Sequence, residues 1–259
     1  MRLAFGVEYD GSGFVGWQRQ PAGRTVQGIL EAALTQVADQ ALQVVCAGRT
    51  DTGVHATGQV VHADSEAVRT ATGWLRGTNA NLPEDVRIQW VAEIDESFHA
   101  RFRALRRHYR YVILNRPAGS SLLRNRVCQE YRPLDADLMA SAAAALRGEH
   151  DFTSFRAAAC QARSPVRTVH RLDVSRSGHF IYIDVQANAF LHHMVRCIAG
   201  VLIAVGRGEQ SPGWVAEVLA ARDRTVGGVN APPGGLYLTA VKYPAQYVLP
   251  AGGWLPDYG

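Results

Sequence analysis

Lysine is almost absent from this 259-residue chain: of 27 basic residues, 26 are arginine and Lys242 stands alone. A GC-rich genome accounts for that exchange, though not for where the arginines fall. Cysteine is scarce and scattered. Cys46, Cys128, Cys160 and Cys197 form no C-x-x-C pair and have no histidine at zinc-like spacing. That argues against a structural zinc and against a disulfide framework, and leaves buried free thiols. Long apolar runs are missing too. The longest, Cys197 to Gly206, is bounded by Arg196 and Arg207 and falls well short of the ~20 residues a membrane span needs. Near the start, Glu8 and Asp10 interrupt the chain before the apolar core of a signal peptide could form. There is no low-complexity tract, and 47% hydrophobic residues suffice to bury a core, which excludes disorder as the main state. The expectation is a soluble cytoplasmic protein of one large domain or two smaller ones.

The net charge of +4 is a weak pointer to nucleic acid, but the clustering is stronger. Between Arg101 and Arg132 lie nine arginines and one acid, Glu130. A second group, Arg156, Arg163, Arg167, Arg171 and Arg176, has only Asp173 against it. Such clusters are electrostatic footprints for phosphate backbones.

Leu3, Phe5, Val7 and Tyr9 alternate as a strand does, and Asp10-Gly11-Ser12-Gly13 breaks it. Behind Thr25, a good N-cap, apolar residues from Val26 to Val37 recur at helical spacing. Strands follow over 42–47 and 58–63, a helix over 66–77 and a strand over 86–94. The order β-α-β-β-α-β is the ferredoxin-like split βαβ unit. It repeats with longer inserts: a strand over 108–114, a helix over 135–147, a hairpin around Ser177-Gly178, an apolar helix over 192–205, a second helix over 213–221, and a closing strand over 236–243. The expected fold is α+β, with two ferredoxin-like domains and largely antiparallel sheets, over residues 1–104 and 105–259. Sheets of this kind offer a broad face on which RNA can lie.

The sharpest segment is Ala47-Gly48-Arg49-Thr50-Asp51-Thr52-Gly53-Val54-His55, between two strands. An arginine two residues from a carboxylate would keep it ionised and nucleophilic. Asp, Thr and Gly are also ordinary turn residues, so the same segment reads equally as a shaped turn. Asp51-Thr52-Gly53 spells the D-T-G of aspartic proteases as well. Those enzymes need two carboxylates sharing a proton; no second D-T-G exists here, and Arg49 would oppose the shared-proton state.

Gly48 to His55, with Thr57-Gly58-Gln59-Val60-Val61-His62 after it, resembles the signature of the bacterial tRNA pseudouridine synthase A family. Other motifs agree in colinear order: Tyr9-Asp10-Gly11-Ser12 with Phe14 and Gly16-Trp17-Gln18-Arg19-Gln20; Asn79 to Pro83; Phe98-His99-Ala100-Arg101-Phe102; Tyr109-Arg110-Tyr111; Asp151 to Arg156; Asn188-Ala189-Phe190 with His192 to Arg196; and Gly235 to Leu238. Thr52 departs from the common Ala, and His108 from the common Arg. Ala245 to Gly259 lies outside the match.

The resemblance implies a pseudouridine synthase fold and a cofactor-free isomerase that turns uridine into its C-glycoside. Asp51 would be the nucleophile, attacking either C1′ of the ribose or C6 of the base. Arg49 would help flip the nucleotide from its stack, which the chemistry requires because a stacked uridine hides its reacting carbons. Arg196 would pair with Asp51 and offset its desolvation. Tyr109 would stack on the flipped base, and Leu236 would pack against the pocket. Arg69, the segment Phe98, His99, Ala100, Arg101 and Phe102, and the segment Ala159, Cys160, Gln161, Ala162 and Arg163 would contact tRNA. The family modifies positions 38, 39 and 40 of the anticodon stem-loop and works as a homodimer, with no membrane association.

Plainer readings stand beside these. Tyr109 is also what a core-facing strand aromatic looks like, and Leu236 what a core leucine looks like. Rim arginines are often only solvated charges. His192-His193 invites a metal assignment, but adjacent helical residues face apart and no acidic cluster lies near them in sequence; the expectation is no metal. The rival function is an RNA-binding module without catalysis.

Overall fold

The structure, a computed structural model, describes residues 1–259. In chain order its elements are β1 (Arg2–Tyr9), α1 (Val26–Ala38), β2 (Val45–Cys46), β3 (His55–Asp64), α2 (Ala71–Asn81), β4 (Val86–Ile94), β5 (Arg106–Asn115), β6 (Cys128–Glu130), α3 (Ala136–Ala143), β7 (Gly148–Asp151), β8 (Val166–Ser177), β9 (Phe180–Ala187), α4 (Met194–Gly206), α5 (Trp214–Ala221) and β10 (Leu236–Lys242). Two compact units divide the chain, one comprising Met1–Arg107 with Tyr237–Leu255, the other His108–Leu236 with Pro256–Gly259.

In the first unit the strands run β4-β1-β3, with β1 antiparallel to both neighbours. The free edge of β3 is shared. Val45 and Cys46 of β2 pair antiparallel with His62 and Val61, while Tyr237 and Leu238 of β10 pair parallel with His55 and Ala56. The order β4-β1-β3-β2 is that of the split βαβ unit. Helix α1 begins where Thr25 accepts the Gly28 N–H at 3.3 Å. Helix α2 starts at Ala71, later than the apolar spacing predicts, because Thr70 supplies its cap by accepting the Gly73 N–H at 3.0 Å. Ser65 meanwhile accepts the Ala67 N–H and bends the preceding chain.

Alternation along β1 sets two faces. Leu3, Phe5 and Val7 point to the helices, with Phe5 edge-on to Trp74 of α2 at 6.2 Å. On the other face Ala4 and Val60 pack with Phe98, Ala100, Tyr243 and Tyr247, and Trp90, Val241 and Leu249 flank them. The C-terminal segment continues this cover: Thr57 Oγ1 donates to the Trp254 carbonyl at 2.6 Å, and Trp254 Nε1 donates to Glu8 at 2.9 Å. Beneath it remains a cavity of about 60 Å³ among Gly58, Trp90, Val241, Leu249 and their neighbours. In this unit that sheet face is not open. Apolar side chains after β4 and after β10 cover it.

In the second unit the strands run β5-β9-β8-β7, and β6 lies parallel to β5. β8 and β9 form an antiparallel hairpin whose turn holds Gly178 at φ 53°. α3 packs against β8 and α4. Nearly every residue of α4 is buried, as its apolar run from Cys197 to Gly206 requires. With β6, β7 and α5 as inserts, the chain order β5-α3-β8-β9-α4-β10 repeats that of the N-terminal half. The last residues are held here: Arg110 donates to the Pro256 carbonyl at 3.1 Å, and Tyr182 donates to Asp257 at 2.9 Å. The fold is α+β, with largely antiparallel strand pairing in each unit.

Candidate active site

The loop from Ala47 to Val54 leaves β2 and enters β3, and the segment after β1 braces it. Thr50 is buried and shares a 2.8 Å hydroxyl contact with Tyr9. Its carbonyl accepts the Trp17 N–H at 2.9 Å, and the Gly53 N–H donates to the Phe14 carbonyl at 3.3 Å. Gln59 of β3 closes the other side, donating to the Gly48 carbonyl at 2.6 Å. Two glycines permit this closeness. A Cβ on Gly11 would strike the Val54 carbonyl, and Gly16, at φ 107°, brings its backbone to where a Cβ would lie 3.0 Å from the Thr50 oxygen. The N-terminal Asp-Gly-Ser-Gly and Gly-Trp-Gln segments thus form the mould in which the loop is cast.

Held this way, alternate residues of the loop point apart. Thr50 faces inward, Arg49 and Thr52 are exposed, and Asp51 is half-buried. A fixed backbone presents the carboxylate while the arginine is free to reach a ligand. Behind the loop, the buried His55 stacks on Tyr237 at 4.7 Å. Its Nδ1 lies 3.0 Å from the Gly11 nitrogen and 3.2 Å from an Asp10 oxygen. Without a proton Nδ1 accepts the Gly11 N–H; with one it faces the carboxylate. The contact with His55, together with hydrogen bonds from Ser12, holds the Asp10 carboxyl well below the usual carboxylate range. Cys46, at the entrance to the loop, is pushed up to about 12 by burial, against the opposing pull of Arg49, Arg101 and Arg107. It is a packed thiol, not a nucleophile.

Arg69 is exposed just before the α2 cap and donates to the Val68 carbonyl. In the 98–102 segment Phe98 and Ala100 have no exposed surface. They anchor the segment in the core, and only His99, Arg101 and Phe102 offer side chains outward. Phe102 is 75% exposed, with the Arg101 guanidinium 5.5 Å from its ring centre.

In the second unit Tyr109 lies on β5, almost buried, edge-on to Phe190 at 4.9 Å. Arg196, in the first turn of α4, donates its Nε–H to the Ala231 carbonyl at 2.9 Å. Leu236 is buried at the start of β10. Ala159, Gln161 and Arg163 are exposed, and Cys160 and Ala162 are half-buried. The backbone N–H of Ala157, just before them, donates to the His192 carbonyl at 2.9 Å. One expectation needs correction. His192 and His193 do not face apart: their ring centres are 4.1 Å apart. The helix begins only at Met194, and His193 adopts a left-handed conformation at φ 63°, which turns both rings to one side.

The basic clusters are partly structural, which sequence counting had no means to reveal. Arg107 is buried, and its guanidinium donates twice to the Ala47 carbonyl and once to that of Arg101. Arg110 pairs with Asp184 at 2.8 Å, and Arg132 pairs with Glu209 at 2.6 Å. Arg171 and Arg147 both engage Asp173. Arg101 and Arg163 remain exposed.

The sequence model of a family described as tRNA pseudouridine synthase matches residues 6–103 and 142–244. The chain is 57% identical over 250 residues to the tRNA pseudouridine synthase A of Nitrosococcus oceani, covering 96% of each. It is 56% identical to that of Methylococcus capsulatus, covering 96% of this chain and 92% of the relative. It is 53% identical to that of Aeromonas hydrophila, covering 99% and 97%.

Proposed function

The chain belongs to the tRNA pseudouridine synthase family, and we propose that it isomerises uridine at positions 38, 39 and 40 of the tRNA anticodon stem-loop, with Asp51 as nucleophile. The observation that carries this reading is the braced loop: a half-buried Asp51 on a backbone fixed by Tyr9, Trp17 and Gln59, with an exposed Arg49 two residues away.

The reaction breaks N1–C1′ and makes C5–C1′. Asp51 attacks C1′ and displaces N1, or adds to C6 before N1–C1′ breaks; the base turns, C5 bonds to C1′, the Asp51–carbon bond breaks to restore the carboxylate, and the C5 proton passes to solvent while N1 gains one. Atoms and charge balance without a cofactor. Arg49 enters the space left by the flipped nucleotide. Arg196 supplies the counter-charge for the carboxylate. Tyr109 stacks on the extruded base, and Leu236 limits its pocket. Arg69, Arg101, Phe102, Gln161 and Arg163 contact the tRNA backbone and loop, where phosphate contacts fix position and carry most of the affinity. The enzyme acts as a homodimer in the cytoplasm; no helix is long and apolar enough to cross a membrane.

The test is chemical mapping of pseudouridine in an unmodified tRNA transcript incubated with the purified protein. New pseudouridine at positions 38 to 40, and nowhere else in the transcript, is the expected result. Modification confined to another arm would overturn the assignment of site, and none at all would overturn the activity.

A further inference from the structure

Three consecutive backbone N–H groups in the 98–102 segment are captured by two histidine rings. The Ala100 N–H donates to His62 Nδ1 at 3.1 Å, and the Arg101 and Phe102 N–H groups both donate to His99 Nδ1 at 3.2 Å. The two rings lie 4.8 Å apart, and His99 also packs, tilted, against the exposed Phe102 at 4.3 Å. Helix and turn starts usually take such N–H groups on Ser, Thr, Asp or Asn oxygens. Here the acceptors are imidazole lone pairs, which exist only while the rings are neutral.

We infer that His62 and His99 are positioning residues: by accepting these three N–H groups they hold Arg101 and Phe102 in the conformation that grips tRNA. This rests on the reading above that the segment touches tRNA. His62, on β3, fixes the base of the turn from inside the sheet, where it is buried. His99 fixes its tip and supports the Phe102 ring. The surrounding charges favour the neutral rings. Burial disfavours a proton on both histidines, and Arg2, which reaches the Phe98 carbonyl at 2.8 Å, adds to it; Arg101 and Arg103 do the same for His99. Asp64 acts the other way on His62, but it is paired with Arg2 at 2.8 Å. Asp95 and Glu96 act on Arg2 in turn, and the Glu96 carbonyl accepts from it. Burial and the His99 ring bring His62 down to about 4.

The latch makes a prediction opposite in sign to simple electrostatics. A protonated histidine touching phosphate would tighten tRNA binding as pH falls. A protonated latch histidine loses its lone pair, releases the turn and weakens binding.

The experiment measures tRNA affinity and steady-state kinetics for full-length wild type, His99→Asn, His99→Leu, Arg101→Ala and Phe102→Ala, at pH 7.5 and 5.5. Asn places an acceptor oxygen near the Nδ1 position that does not titrate over this range. Expected is a rise in KM of about tenfold for His99→Leu with kcat within a few-fold, and restoration to within about threefold by His99→Asn. Wild-type binding should weaken at pH 5.5 relative to His99→Asn. Thermal midpoints of the variants, taken alongside, show that each is folded. Should His99→Leu not fold, the comparison of wild type with His99→Asn across pH still decides. If Arg101→Ala and Phe102→Ala weaken binding while His99→Leu binds as wild type, or if wild type tightens at pH 5.5 where His99→Asn does not, the latch is wrong and the tRNA contact stands. If Arg101→Ala and Phe102→Ala both bind as wild type, the contact itself is wrong, and the latch with it.

Discussion

Arg107 donates its Nε–H and one Nη2–H to the carbonyl oxygen of Ala47, at 3.0 and 2.8 Å, from a nearly buried position. The same Nη2 donates to the Arg101 carbonyl at 2.8 Å. One guanidinium therefore ties the entrance of the Asp51 loop to the segment that carries Arg101 and Phe102. It lies in the thick of the basic cluster, yet its charge is spent inside the protein.

Arg107→Met keeps most of the bulk and leaves both carbonyls short of a donor. Hydrogen bonds to a charged group are worth about 1.5–3 kcal/mol each when buried, and they do not add fully. A loss of about 2–4 kcal/mol in urea unfolding is expected, with Arg107→Lys restoring little because a single ammonium does not reproduce the fork. An unfolding midpoint equal to wild type for Arg107→Met would show that the brace contributes nothing.

Tyr9→Phe removes the hydroxyl that holds Thr50 and leaves the ring against Trp17 at 5.9 Å. The loop should stay folded but lose precision at Asp51. We expect kcat to fall about tenfold, with tRNA affinity nearly unchanged. A rise in KM with kcat intact would place Tyr9 in binding instead of alignment.

Salt dependence separates footprint from scaffold. Arg101 is exposed, whereas Arg110 is buried against Asp184. Arg101→Ala should flatten the slope of log Kd against log salt by about one contact. Arg110→Ala should leave the slope alone and lower stability, because it strands Asp184. Equal slopes for wild type and Arg101→Ala would remove Arg101 from the interface.

Stability should fall in mild acid through His62. Its folded value is about 4, below the ordinary 6.5, because burial and the neighbouring His99 disfavour the proton. Between those values the unfolded chain binds the proton and the folded one does not, so stability rises with pH across that window. The contribution is fully present above about 6.5 and is lost as pH falls toward 4. His62→Asn should flatten the dependence of the urea midpoint on pH over this range. A midpoint that still falls as steeply in the variant would assign the acid sensitivity elsewhere, His99, which burial also holds below the ordinary histidine value, being the next group to test.

Much of the fold was legible because period and caps are local. β4 spans 86–94 as its spacing predicts, and Thr25 caps α1. What escaped depends on partners distant in sequence. Ala245 to Gly259 has no periodicity to read; it is placed by isolated contacts such as Leu249 beside Val60 and Trp254 with Glu8. The cover over the sheet was hidden for the same reason: alternation says which residues lie on a face, not what later covers it. Among the site residues, the Asp51 loop was visible as a motif, but Tyr9, Trp17 and Gln59 as its mould were not. Nor could a count of arginines tell Arg107, buried on a carbonyl, from Arg101, left in solvent.

The central claim is that Asp51 performs the chemistry while arginines elsewhere hold the tRNA. Asp51→Asn keeps the shape of the half-buried side chain and removes its nucleophilic charge. The measurement is release of the C5 hydrogen from labelled uridine in tRNA, with tRNA affinity determined on the same preparation. The account predicts binding within about threefold of wild type and release at background. Retention of even a tenth of wild-type release by the well-folded variant would contradict it.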